Sequence, residues 1–407
     1  MQNKLYQYII MHAIVILLCA CENKKQESLV APWGKIYTES ANNTNVFSVD
    51  DMINNGEMII LTVSGPETYF DYHGKDMGTQ YLLCEKFAQS IGVSLRVEVC
   101  KDTLDMVNRL LKGEADLIVL SPDKNIIKDK RLRYCVDSQN EKGIGWWVAN
   151  KNTSLSNAIK KWYQPGLFAD VKKEETYLLS TNSIKRHIYA PFIDKKDGII
   201  SKYDNLFRKY ATLARVDWKL LAAQCYQESC FDTNACSWAG ARGLMQIMPS
   251  TADHLGIAHS DLNNPELNIQ AATKYYAELT EKFRYIPSAI DRHSFVLASY
   301  NGGANHIKDA MALTKKNGGN PHSWAHVAPY ILKLQQPQYY NDPVVKYGYM
   351  RGSETVEYVE NIKQRYALYR GIKYNARNFK HESTNSSDFP TNITVPKRAT
   401  KKYKYHI

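Results

Sequence analysis

The stretch QCYQESCFDTNACSWAGARGLMQIMPSTA, residues 224–252, governs the reading of the whole chain. It sets a glutamate, Glu228, at the end of an apolar helical run and follows it with a loop of small residues. Upstream, Trp218, Leu221, Ala222 and Cys225 recur at the i, i+3, i+4 and i+7 positions of one helical face, and Glu228 continues that face. A carboxylate so placed is partly desolvated unless a basic group neutralises it, and desolvation raises its pKa toward the range of a general acid. A solvent-facing last turn or a capping carboxylate would fit the same local pattern.

Working outward, Gly240 and Gly243 allow close backbone approach, while Ser237 and Gln246 offer neutral polar groups around a pocket. Met248 stands before Pro249 at the start of a further helix. LASYNGGANHI, residues 297–307, ends an apolar helix with Tyr300 and Asn301 and turns on Gly302 and Gly303. SETVEYVENIKQRYALY, residues 353–369, opens a last helix with Ser353 as its expected cap and with Glu354 and Tyr358 one turn apart.

Four signatures stand in order: QES around Glu228, GLMQI at 243–247, SYNGG at 299–303 and ETVEYV at 354–359. Together they resemble the catalytic domain of the soluble-type lytic transglycosylases. The resemblance implies a mainly α, goose-lysozyme-like domain over residues 203–371. Such a domain cleaves the β-1,4 bond between N-acetylmuramic acid and N-acetylglucosamine in peptidoglycan. It implies Glu228 as catalytic acid and base, Ser237 and Gln246 on the N-acetyl group and sugar, and Met248 on the cleft floor. Tyr300 would orient or polarise the reacting centre, Asn301 would shape the loop after its helix, and Glu354 and Tyr358 would form a supporting wall. No second carboxylate occupies a catalytic position in these motifs, and Asp232, the one nearby candidate, reads as a loop or cap residue. An enzyme with one carboxylate needs its nucleophile from elsewhere. The resemblance implies that the muramyl 6-hydroxyl would supply it, giving 1,6-anhydromuramyl ends without cofactor or metal. A goose-type hydrolase and a non-catalytic peptidoglycan-binding lipoprotein are the competing readings.

Residues 56–190 follow another rhythm. MIILTVSG reads as a strand, TQYLLCEKFAQSIG as a helix, VSLRVEVC as a strand, TLDMVNRLLKGE as a helix stopping at Gly113, and ADLIVL as a buried strand. This alternation predicts a small, parallel-rich α/β domain. GPETYF, FAQSIGVSLRVEV and LLKGEADLIV resemble the amino-acid-binding type of bacterial extracellular solute-binding protein. Those proteins close two lobes over a ligand, whereas here only a short stretch separates GEADLIVL from GIGWWVAN. The resemblance therefore implies a single, truncated lobe with a positioning or regulatory role, open to cell-wall protein partners.

The ends bound the compartment. MQNKLYQYIIMHAIVILLCAC carries an apolar run from Ile9 to Leu18, too short to span a bilayer securely. Its close, Leu18-Cys19-Ala20-Cys21, resembles a lipoprotein signal, which implies a signal peptide over 1–20, acylation of Cys21, a tether over 21–55 and membrane attachment. Glu22 in place of aspartate favours the outer membrane facing the periplasm. With 407 residues and a net charge of +11, the exported chain fits an anionic envelope surface, and nucleic acid drops away as a partner. Six cysteines remain beyond Cys21, and Cys230 and Cys236 read equally as a loop staple or as small thiols. Residues 372–407 read as a basic, flexible tail.

Overall fold

The computed structural model describes residues 46–122, 126–136 and 144–371. The expected signal peptide, Cys21, most of the tether and the basic tail lie outside these residues. The described residues belong to one compact unit, in which a mixed β-sheet domain precedes a mostly helical one.

A capping box opens the first domain. The Ser48 hydroxyl accepts from the Asp51 amide while the Asp51 carboxylate accepts from the Ser48 amide, starting α1 (Val49–Asn55). Strands β1 (Glu57–Thr62), β4 (Ser94–Val99) and β5 (Leu117–Leu120) run parallel, with Ile60 opposite both Val97 and Leu117. Their crossovers are α2 (Thr79–Ile91) and α3 (Thr103–Lys112), which ends at Gly113 as its sequence requires.

Beyond β5 the parallel expectation gives way. β6 (Leu132–Tyr134) and β7 (Gly145–Ala149) join antiparallel, and the sheet order is β4-β1-β5-β7-β6. The physical reason is connection length: a parallel partner needs a helical crossover, and the short link between β6 and β7 leaves room only for a return strand. Every residue of β5 and β7 is buried, whereas none of β4, at the edge, is fully so. The run LSNAIKKWYQPGLF is two helices, α4 (Thr153–Trp162) and α5 (Leu167–Leu178), because Pro165 and Gly166 break it. Apart from the main sheet, β2 (Phe70–Tyr72) and β3 (Lys75–Met77) form a small hairpin.

The helical domain comprises α6 (Asp204–Ala214), α7 (Trp218–Ser229), α8 (Pro249–Leu255), α9 (Pro265–Lys282), α10 (Ala289–Gly302), α11 (Ala304–Lys316), α12 (Trp324–Lys333), α13 (Pro337–Tyr340) and α14 (Gly352–Arg370). Helix α14 packs against α7, α10 and α12, which makes it the central post of the domain. Phe207, Leu221, Cys225, Tyr276, Phe295, Ile331 and Val359 share one core. Burying side chains of this size contributes about 1.5–3 kcal/mol each before conformational entropy is set against it.

The two domains interlock. Tyr349, just before α14, is buried in the core of the first domain, its ring edge-on to Phe70 at 5.0 Å. On the linker, Lys185 and Cys236 exchange both backbone hydrogen bonds at 3.0 Å, so the segment leaving the first domain pairs with the loop after Glu228. The six described cysteines are free thiols, Cys230 and Cys236 among them.

Candidate active site

Helix α7 delivers Glu228. Asp217 caps its start by accepting from the Lys219 amide, and the helix stops at Cys230, whose left-handed backbone (φ 52°) turns the chain into the loop. Arg186 from the linker donates to the free carbonyl of Glu228 at 2.8 Å, so a cation satisfies the helix end. The Tyr358 hydroxyl, from the opposite wall on α14, donates to Glu228 Oε1 at 2.5 Å and accepts from Gln224 Nε2 at 3.2 Å.

Burial pushes the Glu228 carboxyl up to about 7, working against the Tyr358 hydrogen bond and the attraction of His73 and Arg186; the nearby Glu354 adds a small upward push. Although part of the side chain still reaches solvent, the surrounding protein is what sets its proton affinity.

Glu354 is the contrasting carboxylate. Burial would raise it, yet it is held below its ordinary value by His73, Arg351 and Tyr72. Tyr72 donates to its Oε1 at 3.0 Å, His73 Nε2 lies 3.4 Å from the same oxygen, and Arg351 Nη1 lies 3.3 Å from Oε2. Two carboxyls whose surroundings push their pKa values apart are suited to different tasks, one exchanging a proton and one remaining an anion.

A cavity of about 420 Å³ opens beside Glu354, lined by Gln246, Met248, Tyr300, Asn301 and Glu354 among others. Gln246 sits in a left-handed conformation (φ 46°), with its amide donating to the carbonyls of Ala235 and Gly243. Its Oε1 has no protein partner, and neither does the hydroxyl of Ser299 on the same cavity. Both are buried polar atoms without a protein hydrogen-bond partner. The loop carrying Gln246 depends on Gly243 (φ 78°), where a Cβ would lie 2.3 Å from the Leu262 carbonyl oxygen. Tyr300 donates to the Met245 carbonyl at 2.8 Å, and Asn301 Oδ1 accepts from Thr355 at 2.7 Å, which ties the α10 end to α14.

Not every expected residue is brought to the cavity. Glu228 and Tyr358, joined to each other, do not line it, and nor does Ser237, whose hydroxyl closes the loop by accepting from the Ala241 amide at 3.0 Å. Ser353 does not cap the last helix: α14 starts at Gly352 behind Arg351, and the Ser353 hydroxyl donates to Gln335 Oε1. Asp232 is a loop residue, its two oxygens accepting from the amides of His187 and Asn234. Sequence reasoning missed Arg186, Tyr72 and His73, which belong to no local motif.

Raising the Glu228 pKa has a stability consequence with a definite sign. The folded state holds this proton up to about pH 7 and the unfolded chain releases it near 4.5. Wild-type stability therefore falls between those two values as pH rises, by about 3 kcal/mol at most. Glu228→Gln lacks this loss. In denaturant titrations the variant should gain on the wild type from pH 4.5 to pH 7 and hold a constant margin above it. A margin independent of pH would remove Glu228 from the buried, proton-holding role.

Comparison with known proteins identifies the class. Residues 205–323 match the Transglycosylase SLT domain family, so the helical domain carries an SLT domain. The chain is homologous to proteins named membrane-bound lytic murein transglycosylase F. That of Haemophilus influenzae (strain PittEE) is 34% identical over 241 residues, 57% of this chain and 48% of the relative. That of Serratia proteamaculans (strain 568) is 35% identical over 322 residues, 75% of this chain and 64% of the relative, which extends the likeness into the first domain. Among solved structures, the 70 kDa soluble lytic transglycosylase of Escherichia coli is 26% identical over 42% of this chain and 24% of its own, with a TM-score of 0.29. The chain spans 48–64% of the length of these two curated relatives.

Proposed function

We propose that the protein is a peptidoglycan lytic transglycosylase. It would cleave the β-1,4 bond between N-acetylmuramic acid and N-acetylglucosamine and leave 1,6-anhydromuramyl ends. The observation that carries this reading is Glu228, a carboxyl poised near neutral pH against Tyr358 while the nearby Glu354 is held as an anion by three partners. Protonated Glu228 donates to the glycosidic oxygen, the C1–O bond breaks, and the 2-acetamido carbonyl stabilises the cationic sugar. Glu228, now a carboxylate, takes the proton of the muramyl 6-hydroxyl as that oxygen bonds to C1. Both reacting groups belong to one ring, so most of the entropy of encounter is already removed.

In this reading Gln246 Oε1 receives the acetamido N–H, while Met248, Tyr300 and Asn301 shape the sugar cleft; Ser237 acts by holding the loop. Residues 203–371 constitute the catalytic, lysozyme-like domain, and residues 56–190 a single solute-binding-like lobe that positions it. The chain would be anchored through Cys21 in the envelope, at the outer membrane facing the periplasm. Mass spectrometry of muropeptides released from purified sacculi tests the chemistry: anhydro ends are expected, and reducing ends alone would replace the lyase with a hydrolase.

Tyr358→Phe separates positioning from chemistry. Its hydroxyl favours ionised Glu228, so the variant should raise the Glu228 pKa further and shift the alkaline limb of the pH–rate profile upward. A hydrogen bond to a charged group is worth about 1.5–3 kcal/mol, so the acid step, in which Glu228 becomes the carboxylate, should slow by roughly 10–100-fold at neutral pH. A profile with an unmoved limb would assign Tyr358 to packing alone.

A further inference from the structure

We propose that the chain pairs with a second copy of itself through β4, the open edge of the sheet, in an antiparallel register whose two-fold axis passes through Val97. The surface is separate from the sugar cleft, and the proposal stands independently of the transglycosylase reading.

Sheet order defines the edge. β4 is first in β4-β1-β5-β7-β6, so among the described residues it pairs with β1 alone. The Ser94 amide donates to the Gly56 carbonyl at 2.9 Å and the Cys100 amide to the Thr62 carbonyl at 2.7 Å, so the even-numbered residues direct their backbone groups toward β1. Backbone groups alternate sides along a strand, and Leu95, Val97 and Val99 therefore turn theirs outward. Such a row of donors and acceptors is a template for a further strand.

Side chains select which strand. Arg96 and Glu98 project from one face of β4, and Leu95, Val97 and Val99 from the other. With the axis at Val97, Val97 meets its own copy and Leu95 meets Val99 of the second copy, each pair exchanging both backbone hydrogen bonds. Arg96 then stands opposite Glu98 of the second copy, and Glu98 opposite its Arg96. Those are non-hydrogen-bonded positions, where the Cα atoms approach to about 4.5 Å and side chains are closest. Opposite charges so placed favour pairing, and like charges oppose it. Sliding one strand by two residues either way sets Glu98 against Glu98 or Arg96 against Arg96. The charges therefore choose one register and one kind of partner, a contact in which both copies offer the same patch.

The charges remain available for that role. Arg96 is half-exposed and lies 3.5 Å from Glu57 and 3.7 Å from Glu98, long surface contacts that contribute little. Arg109 of α3 holds the other oxygen of Glu98, which fixes the carboxylate beside the edge. Exposed charge on an edge strand commonly keeps strands apart. Here the Arg-Val-Glu alternation does the reverse in one register. Pairing also covers Val99, which is 51% exposed. β4 packs on β1 and α2 and contributes nothing to the cavity, so two joined chains keep both clefts open.

Sedimentation equilibrium and hydrogen exchange of the full chain across rising concentration test the pairing. Wild type should pass from the mass of one chain to twice that mass and stop there, because a two-fold contact closes. Exchange at the Leu95, Val97 and Val99 amides should slow over the same concentrations. Arg96→Glu and Glu98→Arg, each alone, set like charges across the axis at two places and should weaken association about tenfold or more. An equimolar mixture of the two variants restores opposite charges at both places and should recover the doubled mass, with circular dichroism confirming that each variant is folded. Wild type that remains a single chain throughout would overturn the proposal without any variant, as would growth beyond two copies. Doubling that leaves exchange in β4 unchanged would place the contact elsewhere and overturn it. Slow exchange in β4 at every concentration would mean that the chain's own residues 1–45 or 372–407 cover the edge, and a folded mixture that stays apart would refute the register.

Discussion

Glu228→Gln should yield a folded protein that still binds peptidoglycan and releases no measurable anhydromuropeptides. The substitution keeps the shape of the side chain and can still accept from Tyr358, but it can neither give nor take the proton. Loss of general acid–base catalysis alone costs about 10²–10⁴-fold. The upper end or beyond is expected here, because one group serves both the leaving oxygen and the 6-hydroxyl. Glu354 offers no substitute: it is engaged with His73, Tyr72 and Arg351 and favours its ionised form. Muropeptide mass spectrometry on sacculi reads the activity, circular dichroism reads the fold, and a pull-down with sacculi reads binding. Substantial anhydro product from folded Glu228→Gln would sink the assignment of the acid. Asp232→Asn tests the other side. Asp232 holds backbone amides of the loop and linker, so its loss should cost stability more than turnover.

What could be read from the sequence and what could not divide by distance along the chain. Glu228 is legible because the apolar spacing of α7 places it on a buried face, a property written within twelve residues. The Gly243 turn is legible for the same reason, and the left-handed backbone there bears out the demand for glycine. The end of α3 at Gly113 was equally local. Ser353 illustrates a limit: its type suits a cap, but a close crossing of α14 over α12 fixes where the helix starts, and that contact is tertiary. The final strands of the sheet illustrate another, since apolar runs declare strands without declaring direction. Tyr72 and His73 were invisible because they meet Glu354 across 282 and 281 residues of chain. No pattern of spacing within either domain encodes a contact between them. The contact of the hairpin with Glu354 is therefore a property of the two-domain arrangement, whereas the placement of Glu228 is a property of one helix.

Gly352→Ala should have the second-largest effect, although a single methyl is the smallest possible addition. Gly352 is the first residue of α14, where a Cβ would stand 1.9 Å from the Ile331 carbonyl oxygen and 2.5 Å from the Ile331 carbonyl carbon. Both are backbone atoms of α12, which cannot rotate aside as a side-chain terminus can. The two helices must move apart, and overpacking of this kind costs about 1–3 kcal/mol or more. The upper part of that range is expected, since α14 packs on α7, α10 and α12 at once. The displaced segment also carries Glu354, at the third position of α14, and Tyr358 one turn later, whose hydroxyl holds Glu228. A shift of about 1 Å in catalytic geometry costs roughly 10²-fold in rate, so activity should fall further than the lost stability alone would take it. Urea denaturation and turnover measured under conditions where the variant is fully folded keep the two effects apart. Unchanged stability would mean that α14 and α12 do not meet this closely. A stability loss with full activity in the folded fraction would mean that the Glu228–Tyr358 contact survives the displacement, and that the wall on α14 tolerates more movement than its hydrogen bonds imply.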